Sequence, residues 1–373
     1  MTAPDTGHTG QPQAKSAVTI RAVSWALLAM LLAFLTNNVL NLSFQSDTEL
    51  RWNNPLPMLV YLIPMLAAIL FARGTPGTAL RQDADRIHRL NLYLVRSLFW
   101  GVFLVGMADV AVAFLRVEGL AESLLWEGAA KDLNKPFFVG LKIHIPLLVF
   151  GFILGAITRT AGFLWLALLI VVAELAIVVS RFVFSYEQAF MCDLVRYWYA
   201  ALFLFASAYT LYDEGHVRVD IVYAGLRERT KGYANFIGTI LLGLSTCWAI
   251  LLIGLDGKQA LINMPILNFE VSQAASIGLF IKYQMAAFLG VFAITMYIQF
   301  VSYMLEAWAD VCGEPGKRQI NPTGHLGFHG TVFSFNFDPH NGHCIGLGLP
   351  RGLRATRLCD HYNRYRCNQR LRV

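Results

Sequence analysis

Eight long apolar stretches separated by short polar breaks set the pattern of this chain: 22 to 42, 55 to 72, 92 to 115, 136 to 158, 163 to 184, 194 to 212, 234 to 255 and 276 to 305. Each comes close to the ~20 residues that a helix needs to cross a hydrocarbon core. The second is the shortest and carries Pro57 and Pro64. The pattern predicts an all-α, polytopic integral membrane protein of eight transmembrane helices. Residues 1 to 20 are polar, so the opening does not read as a secretory signal.

Composition agrees that the bilayer is the main solvent, with 56% hydrophobic and only 14% charged residues. Four parts follow: a tail at 1–21, a four-helix membrane region at 22–160, a second four-helix region at 161–310, and a basic terminus at 311–373. With the N-terminus inside, Lys15, Arg21, Arg73, Arg81, Arg86, Arg89, Arg159, Arg218, Arg227, Arg229 and Lys231 fall on the cytoplasmic side. Arg51, Arg116, Lys131, Lys135, Arg181 and Lys258 fall outside, and this imbalance predicts that both termini are cytoplasmic. The net charge of +6 comes from residues 311–373, which hold nine Lys or Arg and three Asp or Glu. Such a tail suits anionic headgroups; no stacking platform points to nucleic acid.

The sixth stretch stops at Asp213-Glu214-Gly215, followed by His216-Val217-Arg218-Val219-Asp220, whose polar and aliphatic residues alternate. Segment Asp220 to Lys231 then sets Ile221, Val222 and Leu226 against Arg227, Glu228, Arg229 and Lys231, which predicts a short interfacial helix. In order, the second half carries Arg181-Phe182-Val183-Phe184, Asp193-Leu194, the pentad, Gly238, and Phe269-Glu270-Val271-Ser272. This combination, over residues 163 to 308, resembles the small membrane subunit of tripartite ATP-independent periplasmic (TRAP) transporters, the DctQ type, in a long form with extra N-terminal spans. Asp193 stands where that family usually shows Glu.

The resemblance implies a non-enzymatic subunit in the bacterial inner membrane. It implies a large DctM-type permease subunit, a periplasmic substrate-binding protein, and sodium-coupled uptake of a carboxylate. Arg181, Asp193, His216, Arg218, Asp220 and Glu270 are then the family-motif residues expected at subunit docking. Two other classes stay open: a membrane anchor of an electron-transfer complex, and a self-sufficient carrier.

Charges inside the stretches divide by depth. Arg96, Lys142, Arg196 and Lys282 lie within about two turns of a stretch end and can snorkel to water. Asp109 and Glu174 lie deeper, and each needs a partner or a proton. They read either as a proton or cation relay or as buried structural contacts, with Lys142 a candidate counter-charge for Asp109. An Arg181–Asp193 pair would clamp the hairpin of the fifth and sixth stretches. Gly151 and Gly155 give small-xxx-small spacing, which permits close helix approach.

No phosphate-binding loop, zinc-protease helix or nucleophile elbow is present. Haem would need axial ligands on facing helices, and only His144 lies within a stretch, so no cofactor is expected. The terminus holds Cys344, Cys359 and Cys367 with His340, His343 and His361, at spacings unlike a paired zinc module. Its Gly-, Arg- and Asn-rich composition predicts disorder, and a change of reading frame after Asp310 would break the apolar pattern in the same way.

Overall fold

The computed structural model describes residues 15–44, 55–124, 127–158, 162–186, 189–212, 223, 225–271, 278–317, 336–337 and 344–345. Eight long helices occupy the eight predicted stretches: α1 (Lys15–Phe44), α2 (Pro55–Gly74), α3 (Leu80–Val117), α4 (Pro136–Ile157), α5 (Phe163–Phe184), α6 (Ala189–Tyr212), α7 (Glu228–Leu255) and α8 (Lys282–Cys312). Six of them, all but α2 and α6, are long and apolar enough to cross a membrane. α2 counts as a shorter apolar helix over Met58–Gly74. α6 has 24 residues but carries Asp193, Arg196 and four tyrosines, Tyr197, Tyr199, Tyr209 and Tyr212.

Several helix starts differ from those that hydropathy predicts. α3 opens at Leu80, well ahead of the apolar run, because Asp83, His88 and Asn91 are buried against other helices instead of lying in a loop. α8 begins at Lys282, later than expected, because the turn before it is held by carboxylates from α3 and α6. Short helices Ala121–Leu124, Glu127–Asp132 and Asn263–Leu267 lie in the connections. Glu228 to Lys231, expected to end an interfacial helix, form the first turn of α7; residues 220–222 and 224 lie outside the described residues.

α3 and α8 are the central pair. α4 and α6 pack on α3, α6 and α7 on α8, α1 on α8, α2 on α1, and α5 chiefly on α6. One apolar core joins Phe99, Val102 and Val105 of α3 to Tyr197, Trp198, Ala201 and Phe205 of α6 and Phe288 of α8. A second joins Leu31, Ile87, Leu251, Tyr297 and Val301 of α1, α3, α7 and α8. The two predicted membrane halves therefore share cores, with α3 of the first half wedged between α6 and α8 of the second.

The small-residue spacing in α4 is used within the chain. A Cβ on Gly151 would stand 2.6 Å from the Gly101 amide nitrogen, and one on Gly155 would stand 2.7 Å from Ser97 Cα. Glycine alone lets α3 and α4 approach this closely. Residues 321–373 form a second unit, in which Asn336–Phe337 and Cys344–Ile345 make a two-residue antiparallel ladder.

Candidate functional site

Asp109, fully buried on α3, is the hub of a polar junction between the two membrane halves. Its Oδ2 accepts the Phe280 amide at 2.6 Å. Its Oδ1 lies 3.3 Å from His144 Nε2. The two atoms are close without the geometry of a hydrogen bond. His144 Nδ1 stands 2.9 Å from the Tyr283 hydroxyl, which also accepts Gln284 Nε2 at 2.9 Å. The Tyr197 hydroxyl donates to Gln284 Oε1. Sequence position favours Lys142 as the counter-charge, but that side chain is exposed. A π-helical turn at Gly140–His144 changes the register of α4, and His144 faces the core in its place.

The turn ahead of α8 is thus gripped from both sides. The second grip is Asp193 on α6, buried, whose Oδ2 accepts the Leu279 amide at 3.4 Å. Arg196 Nη1 approaches Asp193 Oδ1 at 3.9 Å. Asp193 thus turns inward to this turn, and Arg181 is exposed at the end of α5. Arg116 Nη2 donates to Gly278 O at 3.0 Å, and its guanidinium lies 4.0 Å over the Phe280 ring. Buried amides that would otherwise lack partners are satisfied by these carboxylates.

Glu270 sits beside this grip. Its carboxylate meets Lys282 Nζ at 2.8 Å, and its carbonyl accepts the Tyr283 amide at 3.1 Å. The preceding Phe269 takes φ 47°, a left-handed conformation unusual for a bulky residue. That backbone turn lays its ring over Gly140, where a Cβ would come within 2.4 Å of it. Among the anchors, Arg96 Nη1 donates to Thr158 O at 2.5 Å, and Lys142 and Arg196 are exposed.

At the opposite end of α3, Arg21 and Asp83 are fully buried and paired at 2.8 Å. Arg21 also donates to Thr75 O at 2.6 Å and Thr75 Oγ1 at 3.1 Å, and Trp25 Nε1 donates to Asp83 at 3.1 Å. Between the two ends, His88 Nδ1 stands 3.0 Å from Gln299 Oε1, and Asn91 Nδ2 donates to Thr295 O at 3.0 Å. None of Arg21, Asp83, Tyr197, Tyr283, Gln284 or Gln299 stands out by hydropathy. For those on α3 and α8 the one signal is the recurrence of polar residues along the helix, such as Asp83, His88 and Asn91; Arg21 on α1 and Tyr197 on α6 carry none.

Glu174 behaves otherwise. It sits eleven positions from Phe163 and ten from Phe184, so about 15 Å from either end of α5. It is exposed, and no hydrogen bond or ion pair to it occurs among the described residues. Facing lipid at that depth, a carboxylate costs about 3 kcal/mol on insertion scales. His216, Arg218 and Asp220 lie outside the described residues, as do Ser272 and the side chains of the terminal Cys and His group. Among the described residues no three His, Cys, Asp or Glu side chains gather as a metal site.

Helices of spanning length, an interior polar network committed to helix packing and large apolar outer faces define a multi-pass α-helical membrane protein. Residues 167–308, from α5 through most of α8, match the family model described as tripartite ATP-independent periplasmic transporters, DctQ component. Over this stretch the chain is thus similar to the DctQ component, and α1 to α4 lie ahead of it. No curated protein and no solved structure matches the chain.

Proposed function

We propose that this chain is the small transmembrane subunit of a TRAP-type secondary transporter, bracing a large DctM-type permease subunit. The assembly would carry a carboxylate, delivered by a periplasmic binding protein, across the bacterial inner membrane with sodium. The observation that carries this reading is the DctQ match over residues 167–308. The interior supports it: Asp109 and Asp193 are spent on fixing the turn before α8, a bracing role that needs no substrate. Both termini would be cytoplasmic, by the Lys and Arg distribution.

A mild-detergent pull-down from native membranes, with mass spectrometry and an absorption spectrum of the same sample, tests it. A co-purifying many-span partner and a colourless sample are expected. A haem spectrum with redox subunits, or the chain recovered alone, would overturn the reading. Within this proposal the His216, Arg218 and Asp220 segment docks the partner. Replacing Arg218 and Asp220 together by alanine should weaken co-purification and uptake while membrane insertion stays intact.

A further inference from the structure

α5 gives the assembled core little. Only Leu166 and Ala173 of its 22 residues are buried, while its inward edge, Ile170 and Ile177, rests partly on the core. On its open side Val171, Glu174, Leu175, Val178 and Phe182 follow one helical stripe. The four apolar members range from 48% exposed at Val178 to 78% at Phe182.

An apolar stripe alone would suit lipid. Glu174 does not, because it lies at mid-depth, where its short side chain cannot reach either interface. Asp109 shows how this same chain treats a carboxylate inside a helix bundle: buried, with an amide and an imidazole supplied by neighbours. Glu174 has the carboxylate without the neighbours. A side chain that complements it would be cationic or strongly donating and presented at mid-depth by an apolar helix. No such group reaches it from this chain's described residues.

We propose that the Val171–Glu174–Val178 stripe of α5 is the face that receives a transmembrane helix of the large permease subunit, and that this helix carries a lysine or arginine at mid-depth which pairs with Glu174. The inference rests on the transporter reading above and deepens it by naming the face and the complementary charge. The pairing fixes helix register as well as contact, since a one-turn slip would leave both charges in hydrocarbon.

The test uses the full chain in its native membranes. A photo-crosslinking amino acid replaces Val171 in one sample and Leu242 of α7, an exposed apolar control, in another. Adducts are identified by mass spectrometry. Separately, Glu174→Gln and Glu174→Lys are compared with the unaltered chain for recovery of the large subunit at equal membrane insertion. Expected are a Val171 adduct on a partner helix containing a basic residue, at least a tenfold loss of partner with Glu174→Lys, and a smaller loss with Glu174→Gln. If the partner co-purifies equally with all three chains and Val171 yields no partner adduct, this inference falls while the transporter reading stands. A Val171 adduct on a second copy of this chain would also overturn it. Failure of the unaltered chain to recover any large subunit would overturn both.

Discussion

Two carboxylates, Asp109 and Glu174, sit deep in transmembrane helices of one chain and meet opposite surroundings. Asp109 lies where α3, α4 and the turn before α8 converge, and it receives the Phe280 amide and the His144 ring. Glu174 lies on the open side of α5 and receives nothing from the described residues. The α3 carboxylate is therefore enclosed by contacts from its own chain, whereas the α5 carboxylate is exposed. Depth in the helix does not separate the two roles; the number of helices packed around the residue does.

The comparison can be broken most forcefully from the buried side. Removing one member of a buried ion pair strands the other, at about 3–5 kcal/mol. Arg21→Ala leaves the buried Asp83 with Trp25 Nε1 and with Arg86 Nη1 at 3.3 Å, so its cost should fall toward the low end of that range. Asp109→Ala should come next, at about 3 kcal/mol, because it orphans the Phe280 amide and leaves His144 without its carboxylate. Asp109→Asn keeps an acceptor and should lose much less. Thermal unfolding of the detergent-solubilised chain reads all three. On the same scale Glu174→Leu should fall within about 0.5 kcal/mol of the unaltered chain. A large loss there would show that Glu174 already has a partner within the chain.

A middle-sized effect tests the frame that places Asp109. Gly155→Leu would drive a side chain into Ser97, whose Cα lies only 2.7 Å from where the first side-chain carbon would go, and so force α3 and α4 apart. Overpacking of this kind costs about 1–3 kcal/mol. His144 rides on α4, so the variant should also loosen the Asp109 junction. A cysteine pair spanning α3 and α4, scored for disulfide yield, would detect the separation.

Much of this architecture can be read from hydropathy, because a bilayer forces each apolar run to satisfy its own backbone. All eight runs contain helices, and the DctQ match covers the fifth to the eighth. What hydropathy does not carry is which polar residues meet. Lys142 and His144 are two positions apart, and a single π turn decides which one faces Asp109. Arg21 reads as a cytoplasmic flank by its position, yet its partner Asp83 lies 62 residues away, a pairing that only tertiary packing creates. Proximity in the hairpin pairs Asp193 with Arg181 and gives no hint of the buried Leu279 amide that Asp193 accepts.

The smallest effect sharpens the contrast between enclosed and exposed charge. Lys317, just past α8, bonds the Glu228 carboxylate and lies 3.5 Å from Asp310. The Glu228 bond, ahead of the Asp310 charge, raises the Lys317 pKa above its ordinary value. A raised lysine pKa adds stability that is fully present below the unfolded value near ~10.4 and is lost as pH climbs through the higher folded value. The side chain is 53% exposed, so solvent screens the pair and its contribution is about 0–1 kcal/mol. Lys317→Ala should therefore lower the melting temperature only slightly at neutral pH. That difference should vanish in 1 M salt, where charges are screened within about 3 Å. The Arg21→Ala loss should persist in the same salt, because its pair is closed to solvent. Equal salt sensitivity in the two variants would mean that water reaches the Arg21–Asp83 pair and that the α3 end is not sealed.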